Sequence, residues 1–183
     1  MQLLQKHNKT CTLYSMKTKR LFLFAGYNAK GVIDDALVHY VNSLEKFGDI
    51  VLVMDSNCTE TELKKVQKQC VYTAATRPGE YDFGSYKRAY IWACENLKIA
   101  DYDFVYMVND SVYGPMFDMA PYFQKMESMN YDAFAIYGDS TLVIYAIPLG
   151  KNEIDVVEDE KELTAVASIF EELLDDLELV TQD

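Results

Sequence analysis

Short continuous apolar runs alternate along the chain with segments whose apolar residues recur every three or four positions. A continuous run of this length is typical of a strand covered on both faces. Five such runs predict strands at residues 21–25, 50–54, 71–74, 104–108 and 133–136. A sixth run, at residues 141–147, predicts another strand that ends before Pro148.

Helical spacing or a helix-capping signal follows each of the first four runs. The predicted helices span residues 32–47, 59–69, 83–97 and 118–129. Thr59-Glu60-Thr61-Glu62 fits a capping box at the start of the second helix. Strands separated by helices indicate an α/β domain with a mainly parallel sheet and helices on both faces.

The pattern divides the chain into three parts. We expect a flexible leader at residues 1–18, a nucleotide-binding domain at 19–148 and an acidic tail at 149–183. The apolar run after the basic leader is too short for the core of a signal peptide. In the tail, an apolar stripe from Ala165 to Leu177 predicts an amphipathic helix. Packing of that stripe on the domain is the simpler interpretation, and binding of a partner is the alternative.

Charge and cysteine content exclude several classes of protein. The net charge of the 183 residues is −12, and residues 151–183 account for −10 of it, which leaves −2 for the rest. A chain this acidic, without a basic stripe, is a poor candidate for nucleic-acid binding. Four widely spaced cysteines argue against a zinc site or a disulfide framework and fit a reducing, cytoplasmic compartment. No stretch reaches the length of a membrane span.

Polar clusters lie at predicted strand ends or in the loops beyond them. Residues 55–57 follow the second strand, residues 77–87 follow the third, and residues 109–111 follow the fourth. Because the carboxyl ends of parallel strands share one edge, where such sheets bind ligands, we expect these clusters to form one cleft.

The clusters suit a nucleotide-diphosphate ligand. Asp55 could accept hydrogen bonds from a base or a ribose, as acidic residues do in dinucleotide folds. The Gly84-Ser85 backbone and Lys87, at a helix start, could bind a phosphate, because free N–H groups favour anions there. Arg77 could add charge-assisted hydrogen bonds.

Asp110, together with Asn109 or Ser111, could hold a magnesium or manganese ion, because hard cations prefer oxygen ligands. Such an ion would neutralise the departing diphosphate. The alternative is a polar turn, because Asn, Asp, Ser, Gly and Pro all favour turns.

The other candidates also have plainer interpretations. Asp55 could only cap a turn, Arg77 and Lys87 could be solvated, and Asp82 could be the N-cap of a helix that begins at Phe83. Tyr81 and Tyr86 could belong to the core.

Two motifs carry a resemblance to a known family. Tyr81-Asp82-Phe83-Gly84-Ser85-Tyr86-Lys87, followed by Asn109-Asp110-Ser111-Val112-Tyr113-Gly114-Pro115, resembles the rhamnan synthesis protein F family over about residues 19–137. The resemblance implies a glycosyltransferase-A-like domain of cell-wall polysaccharide biosynthesis. Its donor would be a nucleotide-activated sugar such as dTDP-rhamnose, and its acceptor a polysaccharide or lipid-linked sugar. Peripheral membrane association stays open.

The resemblance also implies roles for individual residues. Asn109-Asp110-Ser111 takes the place of a D-x-D metal motif, although Asn109 stands where that motif has Asp. Tyr27-Asn28 and Asp55-Ser56 lie where related transferases begin their nucleotide pocket. Asp82, Gly84, Ser85 and Lys87 belong to the first of the two motifs.

The similarity ends near Ile136, and about 45 different residues follow, too few for another catalytic half-domain of typical size. No catalytic base is assigned, so enzymatic activity stays open. One alternative is a truncated or degenerate homologue that serves as a non-catalytic nucleotide-sugar-binding or regulatory module. A second is a flavodoxin- or receiver-like signalling domain, which requires an acidic pocket built partly from the first strand. That strand ends Ala25-Gly26-Tyr27-Asn28, without a carboxylate.

Overall fold

The computed structural model describes residues 18–111, 113–129, 134–138 and 141–149. Residues 1–17 of the expected leader and residues 150–183, with the expected amphipathic helix, lie outside the described residues. The strands are β1 (Arg20–Gly26), β2 (Asp49–Met54), β3 (Tyr72–Ala75), β4 (Phe104–Asn109), β5 (Phe134–Gly138) and β6 (Thr141–Pro148). The helices are α1 (Asp35–Leu44), α2 (Glu60–Leu63), α3 (Tyr81–Asn96) and α4 (Ala120–Glu127).

The described strands form one sheet in the order β3-β2-β1-β4-β6-β5. β3, β2, β1 and β4 run parallel, which confirms the expected mainly parallel sheet. β6 lies antiparallel between β4 and β5, an insertion that the sequence pattern did not predict. Only two residues separate β5 from β6, and a connection that short can join only antiparallel neighbours.

Helices cover both faces of the sheet, as expected. Phe22 and Phe24 of β1 pack in one core with Leu37 of α1 and Phe123 of α4. Successive side chains of a strand point to opposite faces, and the intervening residues of β1 are also buried. On that second face α3 contacts β1 and β2 and buries a stripe of its own that includes Ala89.

Helix boundaries differ from the sequence-based expectation: α1 is three residues shorter at each end than the predicted 32–47, and α2 and α3 also differ. The Thr59 hydroxyl accepts from the Glu62 N–H over 3.3 Å, as a capping box requires. The Glu62 carboxylate, however, binds the Ile33 N–H at 2.8 Å, and α2 ends at Leu63 rather than near residue 69. α3 begins at Tyr81, two residues before the predicted start.

A buried ion pair fastens the amino ends of the strands. Arg20, which is fully buried, places Nε and Nη2 at 2.5 and 2.6 Å from the two carboxylate oxygens of Glu127 in α4. The Tyr106 hydroxyl donates to the same carboxylate over 2.6 Å, and burial, with the Glu127 charge, raises the pKa of Tyr106. This network therefore joins β1, β4 and α4 at the edge opposite the predicted cleft.

None of the helices within the described part of the chain is both long and apolar enough to cross a membrane.

Candidate functional site

The register of the parallel strands brings the predicted site residues to one edge. Gly26 of β1 pairs with Met54 of β2, and Ala25 pairs with Asn109 of β4. The residues that follow these strand ends, among them Tyr27, Asp55 and Asp110, therefore emerge side by side. The strand ends therefore share one rim, as expected, whereas the formation of one cleft by all three polar clusters stays a prediction.

Asp110 lies on this rim, directly after β4. Its Oδ2 accepts a hydrogen bond from the backbone N–H of Tyr27 over 2.9 Å. The pKa of the Asp110 carboxyl is raised to about 6, chiefly by burial and also by the nearby carboxylates of Asp82 and Asp34, while the hydrogen bond from Tyr27 lowers it. A carboxyl group held in its costly ionised form is a common property of functional sites, because a cationic ligand would offset that cost.

Asn109 connects the two sequence motifs. Its side-chain amide donates to the Asp82 carboxylate over 2.9 Å, and its Oδ1 lies 3.4 Å from the Ser111 N–H. The interpretation of Asp82 as an N-cap is wrong, because Glu80 occupies that position and Asp82 lies inside the first turn of α3. Asp82 instead orients Asn109 beside Asp110.

Asp55 holds the loop that leads into α3. It is only 4% exposed, and its two oxygens accept from the N–H groups of Gly79, at 3.1 Å, and Tyr81, at 3.0 Å. The carboxylate thus satisfies a donor that the start of a helix leaves without an intrahelical partner, near the positive end of the helix dipole. These two bonds agree with the interpretation of Asp55 as the cap of a turn. Contact of Asp55 with a base or a ribose stays a prediction.

The first motif does not offer the expected free donors for a phosphate. The Gly84 N–H already donates to the Glu80 carbonyl over 3.2 Å, and Ser85 is 1% exposed, with its hydroxyl 3.2 Å from Arg88 Nη2. The Gly84 N–H therefore lies inside the helix rather than at its free start, and binding of a phosphate by this backbone stays a prediction. Lys87 is exposed in the second turn of α3, and its contact with a phosphate stays a prediction.

Gly84 has a packing role instead. A Cβ at this position would overlap the Cβ of Glu80, so only glycine allows the first turn to form as it does. Of the two tyrosines considered as core residues, Tyr86 is buried and Tyr81 is 81% exposed.

Arg77 and Tyr27 lie together on the same rim. The guanidinium carbon of Arg77 is 5.9 Å from the centroid of the Tyr27 ring, and its Nη2 is 3.5 Å from the Tyr27 hydroxyl. Both side chains are exposed, so an arginine and an aromatic face are presented jointly on this rim. That pair can bind an anion and stack on a planar group.

A cleft of about 230 Å³ opens between the loop after β1 and the loop after β4. Its walls include Tyr27, Asp34, Asp110, Ser111 and Tyr113. Asp34 and Tyr113 were not among the sequence-based candidates. Asp34 is the N-cap of α1. An acid directly before a helical apolar stripe allows that cap to be predicted from the sequence, but the proximity of Asp34 to Asp110 is not predictable in this way.

The oxygen atoms of Asn109, Asp110 and Ser111 are chemically suited to a hard cation. Within the described ranges, no group of three or more His, Cys, Asp or Glu side chains could hold a metal ion. The metal role of Asn109, Asp110 and Ser111 stays a prediction.

No curated protein matches the chain. A solved structure that it is similar to is a candidate nucleotide-diphospho-sugar transferase from Desulfovibrio desulfuricans G20, with 17% sequence identity and a TM-score of 0.45. The match covers 72% of this chain and 63% of the other, so the chain spans less than two thirds of that protein. Residues 50–141 match the family described as rhamnan synthesis protein F, and they include both motifs and the Asp82–Asn109 contact. Since that match spans half of the chain, the protein belongs to the rhamnan synthesis protein F family.

Proposed function

We propose that the chain is a glycosyltransferase-like domain, of glycosyltransferase-A type, that binds a nucleotide-activated sugar for cytoplasmic steps of cell-wall polysaccharide synthesis. The proposed donor is dTDP-rhamnose. The observation that carries the proposal is the position of Asp110, a carboxyl group with a raised pKa, at the carboxyl edge of the sheet in a member of this family. Open α/β sheets bind ligands at that edge.

The described contacts suggest a different role for each residue around the donor. Asp110, with the side-chain oxygens of Asn109 and Ser111, would hold magnesium or manganese against the diphosphate. Arg77 would add charge-assisted hydrogen bonds to the phosphates, and the exposed ring of Tyr27 would stack on the base.

Two other acids would act as positioning residues. Asp82 orients Asn109 through their 2.9 Å hydrogen bond. Asp55 holds the loop that carries Arg77, because its carboxylate binds the N–H groups of Gly79 and Tyr81.

In the proposed reaction, the bond between the anomeric carbon and the diphosphate oxygen breaks. A bond from an acceptor hydroxyl oxygen to the anomeric carbon forms, the hydroxyl proton passes to a base, and dTDP leaves. A bound divalent cation would stabilise the negative charge of the departing diphosphate. Arg77 would supply a fixed positive charge at the same group.

The second candidate function is a non-catalytic nucleotide-sugar-binding or regulatory module. The observation that favours it is the Asn109-Asp110-Ser111 segment, which has one carboxylate where a D-x-D motif has two. One carboxylate binds a cation more weakly than two.

Calorimetric titration of the full chain with dTDP-rhamnose, with and without manganese, tests binding, and release of dTDP in the presence of a rhamnose acceptor tests turnover. We expect manganese-dependent binding that Asp110→Asn abolishes and that the matched control Asp101→Asn, an exposed acid at the opposite edge, retains. Binding without release of dTDP supports the second function. Absence of binding, or binding that Asp110→Asn does not weaken, overturns both.

A further inference from the structure

The loop between β4 and α4 exposes large apolar side chains, and one of them, Tyr113, lines the cleft. Tyr113, Met116 and Phe117 are 86%, 77% and 87% exposed. Apolar side chains are common on protein surfaces singly, but a group of them beside a cleft marks a binding surface. We call residues 113–117 the aromatic loop.

Neighbouring helices hold the aromatic loop in place. His39 of α1 places Nε2 at 3.1 Å from the carbonyl oxygen of Pro115. Asp118, just after the loop, accepts from the Ala120 N–H at 3.2 Å and lies 3.5 Å from Lys46 Nζ. These contacts lie at the middle and the end of the loop, so the apolar side chains are presented by an anchored backbone.

The cleft next to the loop is acidic. Tyr113 lines it together with Asp110 and Ser111, and Asp34 lies close enough to Asp110 to raise its pKa. The described wall of the cleft includes no lysine or arginine. Carboxylates accept hydrogen bonds from hydroxyl groups, and Asp34 would repel an anionic acceptor, whereas a divalent cation at Asp110 would offset the charge of the donor diphosphate.

A neutral saccharide fits this combination. Its hydroxyl groups can donate to the carboxylates, and its apolar C–H faces can pack on exposed aromatic rings. Ligand sites commonly combine apolar walls with a few polar groups in this way. An anionic lipid surface fits less well, because contact through the aromatic loop would bring Asp34 towards negative charge.

We propose that the aromatic loop is the binding subsite for the acceptor, and that this acceptor is an uncharged saccharide. This inference rests on the proposed function, since an acceptor is needed only if the cleft holds an activated sugar. Tyr113 contacts the sugar nearest the cleft, and Phe117 contacts a sugar farther along.

The test is a titration of the full chain, without nucleotide, with a neutral rhamnose oligosaccharide, followed by saturation-transfer NMR and calorimetry. Tyr113→Ala and Phe117→Ala should each weaken binding about fivefold to tenfold, the range expected for a lost aromatic contact. Phe117→Tyr should retain binding, because it keeps the ring. The control is Val71→Ala, which removes an exposed apolar side chain before β3 at the opposite edge.

Donor binding is measured on the same variants, so that the two proposals fail separately. Saccharide binding that both loop variants leave unchanged, or its absence while dTDP-rhamnose still binds, overturns this inference alone. Loss of attachment to anionic lipid vesicles in the loop variants, with saccharide binding unchanged, also overturns it in favour of a membrane contact. Absence of donor binding in the unsubstituted protein overturns the proposed function first.

Discussion

The backbone N–H of Tyr27 donates a hydrogen bond to Oδ2 of Asp110 over 2.9 Å, across 83 positions of sequence. The two residues follow neighbouring parallel strands, and the bond fixes the orientation of the carboxyl group at the rim of the cleft. The same carboxyl group is one that burial makes costly to ionise. A costly ionised group that the fold nevertheless holds in place indicates a functional rather than a stabilising residue.

Asp110→Asn should abolish manganese-dependent nucleotide binding without lowering the melting temperature at pH 7. The amide oxygen can still accept from the Tyr27 N–H, whereas the charge that would bind the cation is lost. Calorimetry and thermal unfolding of the same preparation check both parts. A large loss of stability with unchanged binding would support a turn-forming role for Asp110.

The stability advantage of Asp110→Asn should depend on pH. The pKa of Asp110 is raised from 3.8 in the unfolded chain to about 6 in the folded protein. Between those values the folded state holds a proton that the unfolded state has released, so wild-type stability falls as the pH rises through that window. At pH 7.5 the variant should be more stable by about 2 kcal/mol, allowing for partial solvation of the group.

Urea unfolding of both proteins at pH 5 and pH 7.5 measures this difference. The advantage of the variant should shrink at the lower pH, where the wild-type carboxyl is largely protonated. An advantage of equal size at both values would show that titration of Asp110 is not its cause.

Asp55→Asn should destabilise the protein by about 2 kcal/mol. The two carboxylate oxygens of Asp55 each accept a backbone N–H, whereas the amide of Asn would offer one oxygen and place an NH₂ group against the other donor. Nucleotide affinity should fall as well, since the loop with Arg77 loses its anchor. Urea unfolding and dTDP titration check the two effects. Asp35→Asn, an exposed acid in the first turn of α1, is the matched control and should change stability by only a few tenths of a kcal/mol.

Gly84→Ala should lower the melting temperature although alanine favours helices by about 1 kcal/mol over glycine. The added methyl group would overlap Glu80 and displace the first turn of α3. Thermal unfolding compares it with Lys87→Ala, an exposed substitution in the next turn. A rise in melting temperature for Gly84→Ala would show that the turn can move without cost.

Glu127→Gln should cost about 3–5 kcal/mol, because it removes the carboxylate that pairs with the buried guanidinium of Arg20. Breaking the exposed Lys98–Asp101 pair with Asp101→Asn should cost less than about 1 kcal/mol. Denaturant unfolding of both variants measures the contrast. Equal losses would mean that the buried pair adds little beyond a surface contact.

Much of the fold and the location of the site could be predicted from local patterns. The apolar runs at 21–25, 50–54 and 104–108 became β1, β2 and β4 within one residue at either end, because a strand covered on both faces leaves no polar position inside it. Parallel strands then require their carboxyl ends to share an edge, which placed Asp55 and Asp110 together. The antiparallel position of β6 was not predictable in this way, because strand order depends on pairing between distant segments.

The sequence by itself therefore determined the elements, the mainly parallel sheet and the edge at which Asp110 lies. Only the tertiary structure decided what each polar side chain does there. Asp55 holds the loop before α3, Asp82 accepts a hydrogen bond from Asn109, and Ser85 is buried in α3. The physical reason is that hydrophobic periodicity is a local property of the chain, whereas a hydrogen-bond partner and the burial of a carboxyl group depend on residues that only folding brings close.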